Sequence, residues 1–254
     1  MFIDSLSARP GPSRPSVPDG HRVYAVGDVH GRDDLLDELL ELIEADNGRR
    51  GAATSRMVFL GDLIDRGPGS AAVIERLRTY PTEPIAPLFL LGNHEEVLLR
   101  ILNGEVDLIE SWLRFGGAEC LRSYGVDPAR LRDTDRRRVM DLIRDAIPAE
   151  HATFLGEFAD TLRIGEYLFV HAGIRPGVAL NDQLQSDLRW IRAPFLDAVD
   201  DHGFVVVHGH TISHRVDERD NRIGLDTGAY RSGVLTAMGV EGSGRWYLQT
   251  GGAG

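Results

Sequence analysis

Short apolar runs recur along this chain, and each one ends abruptly in a polar group. RVYAVGD, RMVFLGD, PLFLLGN, YLFVHAG and FVVVHGH each set a hydrophobic stretch before a carboxylate, an amide or an imidazole. Runs this short read as buried strands, and open α/β sheets place their sites at the ends of such strands. The pattern predicts strands at His21–Val26, Arg56–Leu60, Leu88–Leu91, Thr161–Ile164, Tyr167–Val170, Phe204–His208, Arg222–Leu225, Val234–Met238 and Trp246–Gln249. A helical period places Leu35, Leu36, Leu39, Leu40 and Ile43 on one face of a helix over Asp33–Asp46. Further helices are expected over Ser70–Tyr80 and from His94 to Leu102, with Pro81, Pro84 and Pro87 punctuating the loop between them. From Glu105 to about Asp160 the pattern is helical without a strong strand, which reads as an inserted cap. Alternation of α and β early, then mostly β, predicts an α/β sandwich of two mixed β-sheets with helices outside.

The chain has 254 residues, 42% of them hydrophobic, enough for one large core. One catalytic domain over residues 21–254 is expected, after a Pro- and Ser-rich stretch over 1–20 that reads as a flexible tail. The apolar runs are too short to cross a membrane. The single Cys120 cannot form an internal disulfide and suits a reducing cytoplasm. A formal net charge of −11 argues against nucleic-acid binding. It also disfavours anionic substrates unless cations reverse the field locally.

The polar run-ends supply that reversal. GDVHG (Gly27–Gly31), GDLIDRG (Gly61–Gly67), GNHE (Gly92–Glu95), HAG (His171–Gly173) and HGHT (His208–Thr211) present Asp28, His30, Asp62, Asn93, His171 and His210. Oxygen and imidazole donors without thiolate suit Mn²⁺, Fe or Zn²⁺ rather than Ca²⁺. Six donors exceed what one catalytic metal with an open position uses. Two divalent ions sharing a carboxylate, with Asp62 as the natural bridge, account for the count. Such a pair holds and acidifies a water and clamps an in-line phosphoryl displacement.

The order GDxHG, GDxxDRG, GNHE, HAG, GHT resembles the phosphoprotein phosphatase family of calcineurin-like metallophosphoesterases, above all its small bacterial members. The resemblance runs from Arg22 to about Ala237 and is weakest in the cap. It implies that Asp28 and His30 hold one metal, that Asp62 bridges, and that Asn93 and His171 hold the second, with His210 completing the first. It further implies His94 as general acid, Asp65 as the carboxylate that holds and charges it, and Arg66 as a phosphate clamp. A shorter match, LRWIRAP, offers Trp190 and Arg192, with Arg192 as a second phosphate ligand; Asn93 also faces substrate. The implied activity is hydrolysis of phosphate esters with Mn²⁺ first among the metals. Serine/threonine phosphoproteins come first as substrates, and the alternative is a symmetrical dinucleoside tetraphosphate hydrolase, whose sister family shares these motifs. A non-catalytic relative should have lost ligands, and none is missing here.

Other residues have blander readings. His208 reads as a packed strand end, His214 as further from the site, and His21, His151 and His202 as surface or loop. Asp226 and Tyr230 in GLDTGAY stand between a strand-end turn and a site neighbour. Trp112, Leu113 and Phe115 read as cap core, Arg132, Arg136, Arg137 and Arg138 as a solvated helix face, and Cys120 as inert.

Overall fold

The structure, a computed structural model, describes residues 14–131 and 134–251. Strand β1 (His21–Val26) falls where the apolar run placed it, and α1 (Asp33–Arg49) follows. Next come β2 (Thr54–Phe59), α2 (Ser70–Arg78), β3 (Ile85–Phe89) and α3 (Asn93–Leu102). The segment between Glu105 and Asp160 folds as short helices: α4 (Ile109–Trp112), α5 (Ala118–Ser123), α6 (Arg136–Ala146) and α7 (Ala149–Gly156). Then β4 (Thr161–Ile164), β5 (Tyr167–Val170), α8 (Gln185–Trp190), β6 (Val205–His208), β7 (Asp217–Glu218), β8 (Arg222–Gly224), α9 (Ala229–Ser232), β9 (Thr236–Glu241) and β10 (Gly244–Gln249) complete the chain.

Two five-stranded mixed sheets result, ordered β10-β9-β1-β2-β3 and β4-β5-β6-β8-β7. In the first, β1, β2 and β3 run parallel; in the second, β5, β6 and β8 do. Strand period sorts the side chains. Val23, Ala25, Val58, Leu60, Phe169, Val207 and Val240 pack between the sheets, while Tyr24, Val26, Met57 and Phe59 face the helices. On the far side, Leu168, Val170 and Val206 pack under Leu188, Ile191 and Phe195. Being covered on both faces explains why these strands read as continuous apolar runs. The predicted face of α1 is buried as expected, each large side chain contributing roughly 1.5–3 kcal/mol.

Several boundaries move for identifiable reasons. β3 starts at Ile85 and contains Pro87, which was read as loop punctuation; β3 is an edge strand, where a missing N–H is tolerated. β7 and α8 went unread because β7 is two charged residues and α8 only six residues long. Residues 14–20, read as part of the tail, pack on the body: Val17 is buried and its N–H donates to Gly242 O at 3.0 Å. Residues 1–13 and Arg132 lie outside the described residues. His151, read as surface, is buried between Tyr124 and Glu75. Phe115, read as cap core, is exposed. Arg136, Arg137 and Arg138 form the solvated face expected of them. Among the described residues, no helix is long and apolar enough to cross a membrane.

Candidate metal centre

The carboxyl ends of β1, β2, β5 and β6, and the start of α3 after β3, deliver Asp28, Asp62, His171, His210 and Asn93 to one place. Getting them there distorts the backbone. His30, Asp62, Asp65, Arg66 and His210 all have positive φ, from 46° to 72°, and among the described residues no other non-glycine does. Each such residue costs about 1–3 kcal/mol and persists only where its surroundings hold it. Gly61 (φ 97°) is required between β2 and Asp62, because a Cβ there would lie 2.6 Å from Gly92 N and 3.0 Å from His171 Nδ1.

The histidines are oriented from behind. His30 Nδ1–H donates to Ile64 O and His171 Nδ1–H to Leu60 O, both at 2.8 Å. Each ring then turns an Nε2 lone pair inward. Burial lowers the pKa of both, which keeps them in that neutral form. His171 Nε2 lies 3.0 Å from Asn93 Oδ1 and 3.4 Å from Asp62 Oδ1, and His30 Nε2 lies 3.5 Å from Asp62 Oδ2. Acceptors that converge without a shared proton are what a cation site requires. His210 adds a buried Nε2 with no hydrogen-bond partner. Two three-residue groups with donor atoms within 4.8 Å of one another emerge: His30–Asp62–His94 and Asp62–His171–His210. Both contain Asp62, so the donors fit a pair of divalent ions sharing that carboxylate; Asp28 belongs to neither group, and His94 stands in the first in its place.

One implied assignment changes. His210 was expected beside Asp28 and His30, but its imidazole sits with Asn93, Nδ1 to Oδ1 2.8 Å, and in the group with His171. Only its backbone N–H reaches Asp28, at 3.0 Å. Asp28 is buried beside Asp226; burial, then the charges of Asp226 and Asp62, push its pKa far above the carboxylate range. Burial lifts Asp226 to about 6, and its Oδ2 has no partner. Crowded carboxylates of this kind also call for positive charge.

His94 lies in the first turn of α3 and is 5% exposed, its Nδ1–H donating to Asp65 Oδ2 at 2.6 Å. Burial opposes its protonation, but the Asp62 charge and the Asp65 hydrogen bond win, and its pKa is raised. Arg66 spans both groups: Nη1 donates to His30 Nε2 at 2.8 Å and Nη2 to His94 Nε2 at 3.0 Å, with Tyr230 beneath the guanidinium at 5.0 Å. Tyr230 also meets the His30 ring edge-on at 5.6 Å, so GLDTGAY borders the site. The Arg192 guanidinium is exposed and pairs with no described residue. Its charge adds to burial in lowering His171 and, to about 3, His210. His208 takes the packed role read for it, buried edge-on to Phe195 at 5.1 Å.

Two residues were missed. Glu95 is fully buried and accepts the backbone N–H groups of Asp62, Leu63, Ile64 and Gly92, pinning the loop after β2 to α3. Its signal was present: a glutamate three residues after the residue that opens a helix is a capping-box position. Trp112, read as cap core, is buried but donates Nε1–H to both Asp65 oxygens, at 3.2 and 3.0 Å. No local pattern announces that contact. The cap touches the site once more where the Gly116 carbonyl accepts the Arg66 N–H at 3.1 Å. Gly116 has φ 121°, and a Cβ there would lie 2.6 Å from Arg66 N.

Two stacked mixed sheets with Asp, Asn and His donors converging at the carboxyl ends of their strands define a metallophosphoesterase. The chain belongs to the calcineurin-like phosphoesterase family, whose sequence model matches residues 21–237. It is therefore a hydrolase of a family that uses divalent metals. Over 287 aligned residues it is 27% identical to the symmetrical bis(5'-nucleosyl)-tetraphosphatase of Methylobacillus flagellatus, covering 86% of this chain and 92% of that one. The fold is similar to a crystal structure named provisionally as a diadenosine tetraphosphatase, with TM-score 0.65, 20% identity and 93% and 98% of the two chains covered. It is also similar to a protein serine/threonine phosphatase of Saccharomyces cerevisiae, with TM-score 0.54, 14% identity and 95% and 85% covered.

Proposed function

We propose that this protein hydrolyses the tetraphosphate bridge of symmetrical dinucleoside tetraphosphates, giving two nucleoside diphosphates. The observation that carries this reading is the likeness to a symmetrical bis(5'-nucleosyl)-tetraphosphatase over 86% of this chain and 92% of that one. The phosphoprotein reading placed first from the motifs is matched by fold likenesses under 25% identity, such as the serine/threonine phosphatase at 14%, which speak to the fold alone. We therefore reverse the order.

Asp28, His30 and Asp62 would hold one divalent ion, and Asp62, Asn93, His171 and His210 the other; Mn²⁺ is our first choice, with Fe and Zn²⁺ compatible with the donors. When bound, the ions supply positive charge to the phosphoryl oxygens and acidify the attacking water. The protein's own groups do the rest. Arg66 turns its planar fork from the two imidazoles onto phosphate oxygens, a two-point contact that lysine cannot reproduce. That movement uncovers His94 Nε2. Held through Nδ1 by Asp65, and with Asp62 favouring its charged form, His94 can then give a proton to the departing oxygen, which counts most for an alkoxide and little for a departing nucleoside diphosphate. Asn93 and Arg192 contact the remaining phosphate oxygens, and the helical segment from 105 to 160 caps the site within one catalytic domain. A lone thiol and a nucleotide substrate would suit a cytoplasmic location.

Diadenosine tetraphosphate and a phosphoserine peptide assayed side by side decide the matter. The nucleotide should be strongly preferred and ADP should be the sole nucleotide product. Preference for the peptide, or release of AMP and ATP, would overturn the proposal.

A further inference from the structure

Four large apolar side chains stand exposed among the described residues: Phe115, Leu184, Trp190 and Val199. Trp190, at the end of α8, differs from the others. The residue is 42% exposed, yet its ring cannot swing freely, because the indole Nε1–H donates to Glu96 Oε2 at 2.9 Å. Glu96 lies on α3, the helix that begins with Asn93 and His94, and is itself held by Arg189 at 3.6 Å and Arg100 at 3.8 Å. The tryptophan is thus fastened to the helix that carries two site residues. It also meets the site directly, edge-on to the His210 ring with centroids 6.5 Å apart and planes at 75°. Two residues further on, the Arg192 guanidinium is exposed and unpaired among the described residues.

A flat ring with its polar end tied down, beside a centre that cleaves phosphates, is preorganised for stacking on another flat ring. Such stacking is sequence-tolerant and strong because every base presents a π face. Little rotamer freedom remains for a ligand to freeze out. Phe115 is more exposed but has no polar atom with which to be tethered. A phosphopeptide would offer a peptide backbone, not a ring, one or two phosphates away from the reacting centre.

We propose that Trp190 is the platform on which a nucleobase of the substrate stacks, with Arg192 taking the phosphate oxygens next to it. The proposal rests on the nucleotide reading of the same site and adds the group that recognises the base. The Glu96 carboxylate then acts as a positioning residue that fixes the plane of the indole.

Calorimetric titration of ADP and of inorganic phosphate into the metal-loaded enzyme tests this, using wild type, Trp190→Ala and Trp190→Phe. Trp190→Ala should weaken ADP by roughly 5- to 100-fold, the range expected for one lost base stack, and inorganic phosphate far less. Trp190→Phe should recover most of the loss. The KM for diadenosine tetraphosphate should rise relative to that for nitrophenyl phosphate by a similar ratio. Equal ADP affinity in wild type and Trp190→Ala would overturn the platform, and so would equal losses for ADP and phosphate, since those mark general damage. Stacking that depends on Trp190 in an enzyme that does not cleave diadenosine tetraphosphate would leave the platform standing and remove only the substrate reading.

Discussion

Replacing Glu95 by glutamine tests how the site's backbone is held. The carboxylate is buried and each of its oxygens accepts two N–H groups: Oε1 takes Leu63 at 2.8 Å and Ile64 at 3.2 Å, while Oε2 takes Asp62 at 2.8 Å and Gly92 at 3.1 Å. Glutamine keeps the shape but converts one oxygen to NH₂. Because the donors are shared evenly, either placement of the amide leaves two backbone N–H groups facing a donor. An unsatisfied buried donor costs about 1–3 kcal/mol, so the change should cost about 2–6 kcal/mol. The neutral amide is cheaper to bury than a carboxylate, which moves the expectation toward the lower end. Against a total stability of about 5–15 kcal/mol this is a large fraction.

Equilibrium urea unfolding reads it directly. With a slope of roughly 2–3 kcal/mol per molar, the midpoint should fall by on the order of 1 M or more. Glu41→Gln, on the exposed side of α1, sets the baseline for losing a surface carboxylate. Metal affinity should fall as well, since Asp62 sits at φ 51° on the segment that Glu95 pins. A Glu95→Gln variant with the midpoint of Glu41→Gln would refute the reasoning and show that the loop is held by something else.

Three further outcomes are expected. Exhaustive chelation should abolish hydrolysis, and Mn²⁺ should restore it; turnover that survives with no transition metal detectable by elemental analysis would defeat the metal reading. His94→Ala should cost about 100-fold or more on substrates with alkoxide leaving groups. It should cost much less on diadenosine tetraphosphate, whose departing oxygen belongs to a phosphate with a second pKa of about 6; equal losses on both would remove His94 as the acid. Burial raises Asp46, but hydrogen bonds from Arg50, Tyr24 and Trp246 outweigh it and leave its pKa lowered. A depressed carboxylate stabilises the fold above its unfolded value, about 3.9, and that contribution is lost as pH falls through the folded pKa. Asp46→Asn should therefore be destabilised most at pH 7, with the gap closing in acid; a gap that held constant from pH 7 to pH 3 would contradict this.

Much of the site was legible because its donors share one local signature, an apolar run ending in a polar residue. Asp28, Asp62, His171 and His210 all show it, and so does Asp226 after RIGL, which the same rule would have placed with them. The partition of donors between the two groups was not legible. The His210 ring turns toward Asn93 on a residue with φ 63°, and periodicity carries no information of that kind. The strands β1 and β5 were read closely because they are covered on both faces, whereas β7 is two residues and depends on pairing with β8. The helical segment was recognisable as helix, but the contacts by which Trp112 and Gly116 reach the site join residues far along the chain from Asp65 and Arg66.

Those two contacts change what the cap can be. A cover that only shielded the site could pack anywhere over it, but this one reaches behind the chemistry. Trp112 donates to both oxygens of the carboxylate that orients His94, and the Gly116 carbonyl fixes the backbone of the arginine that lies across both donor groups. Asp65 has φ 72° and Arg66 φ 68°, a strained pair that the loop after β2 would not keep without support from outside. The cap supplies that support on one side and Glu95 supplies it on the other. Substitutions in the cap should therefore alter turnover as well as substrate choice, and the rim at Trp190, which touches the cap at none of these points, is where choice of substrate can vary without disturbing the acid or the clamp.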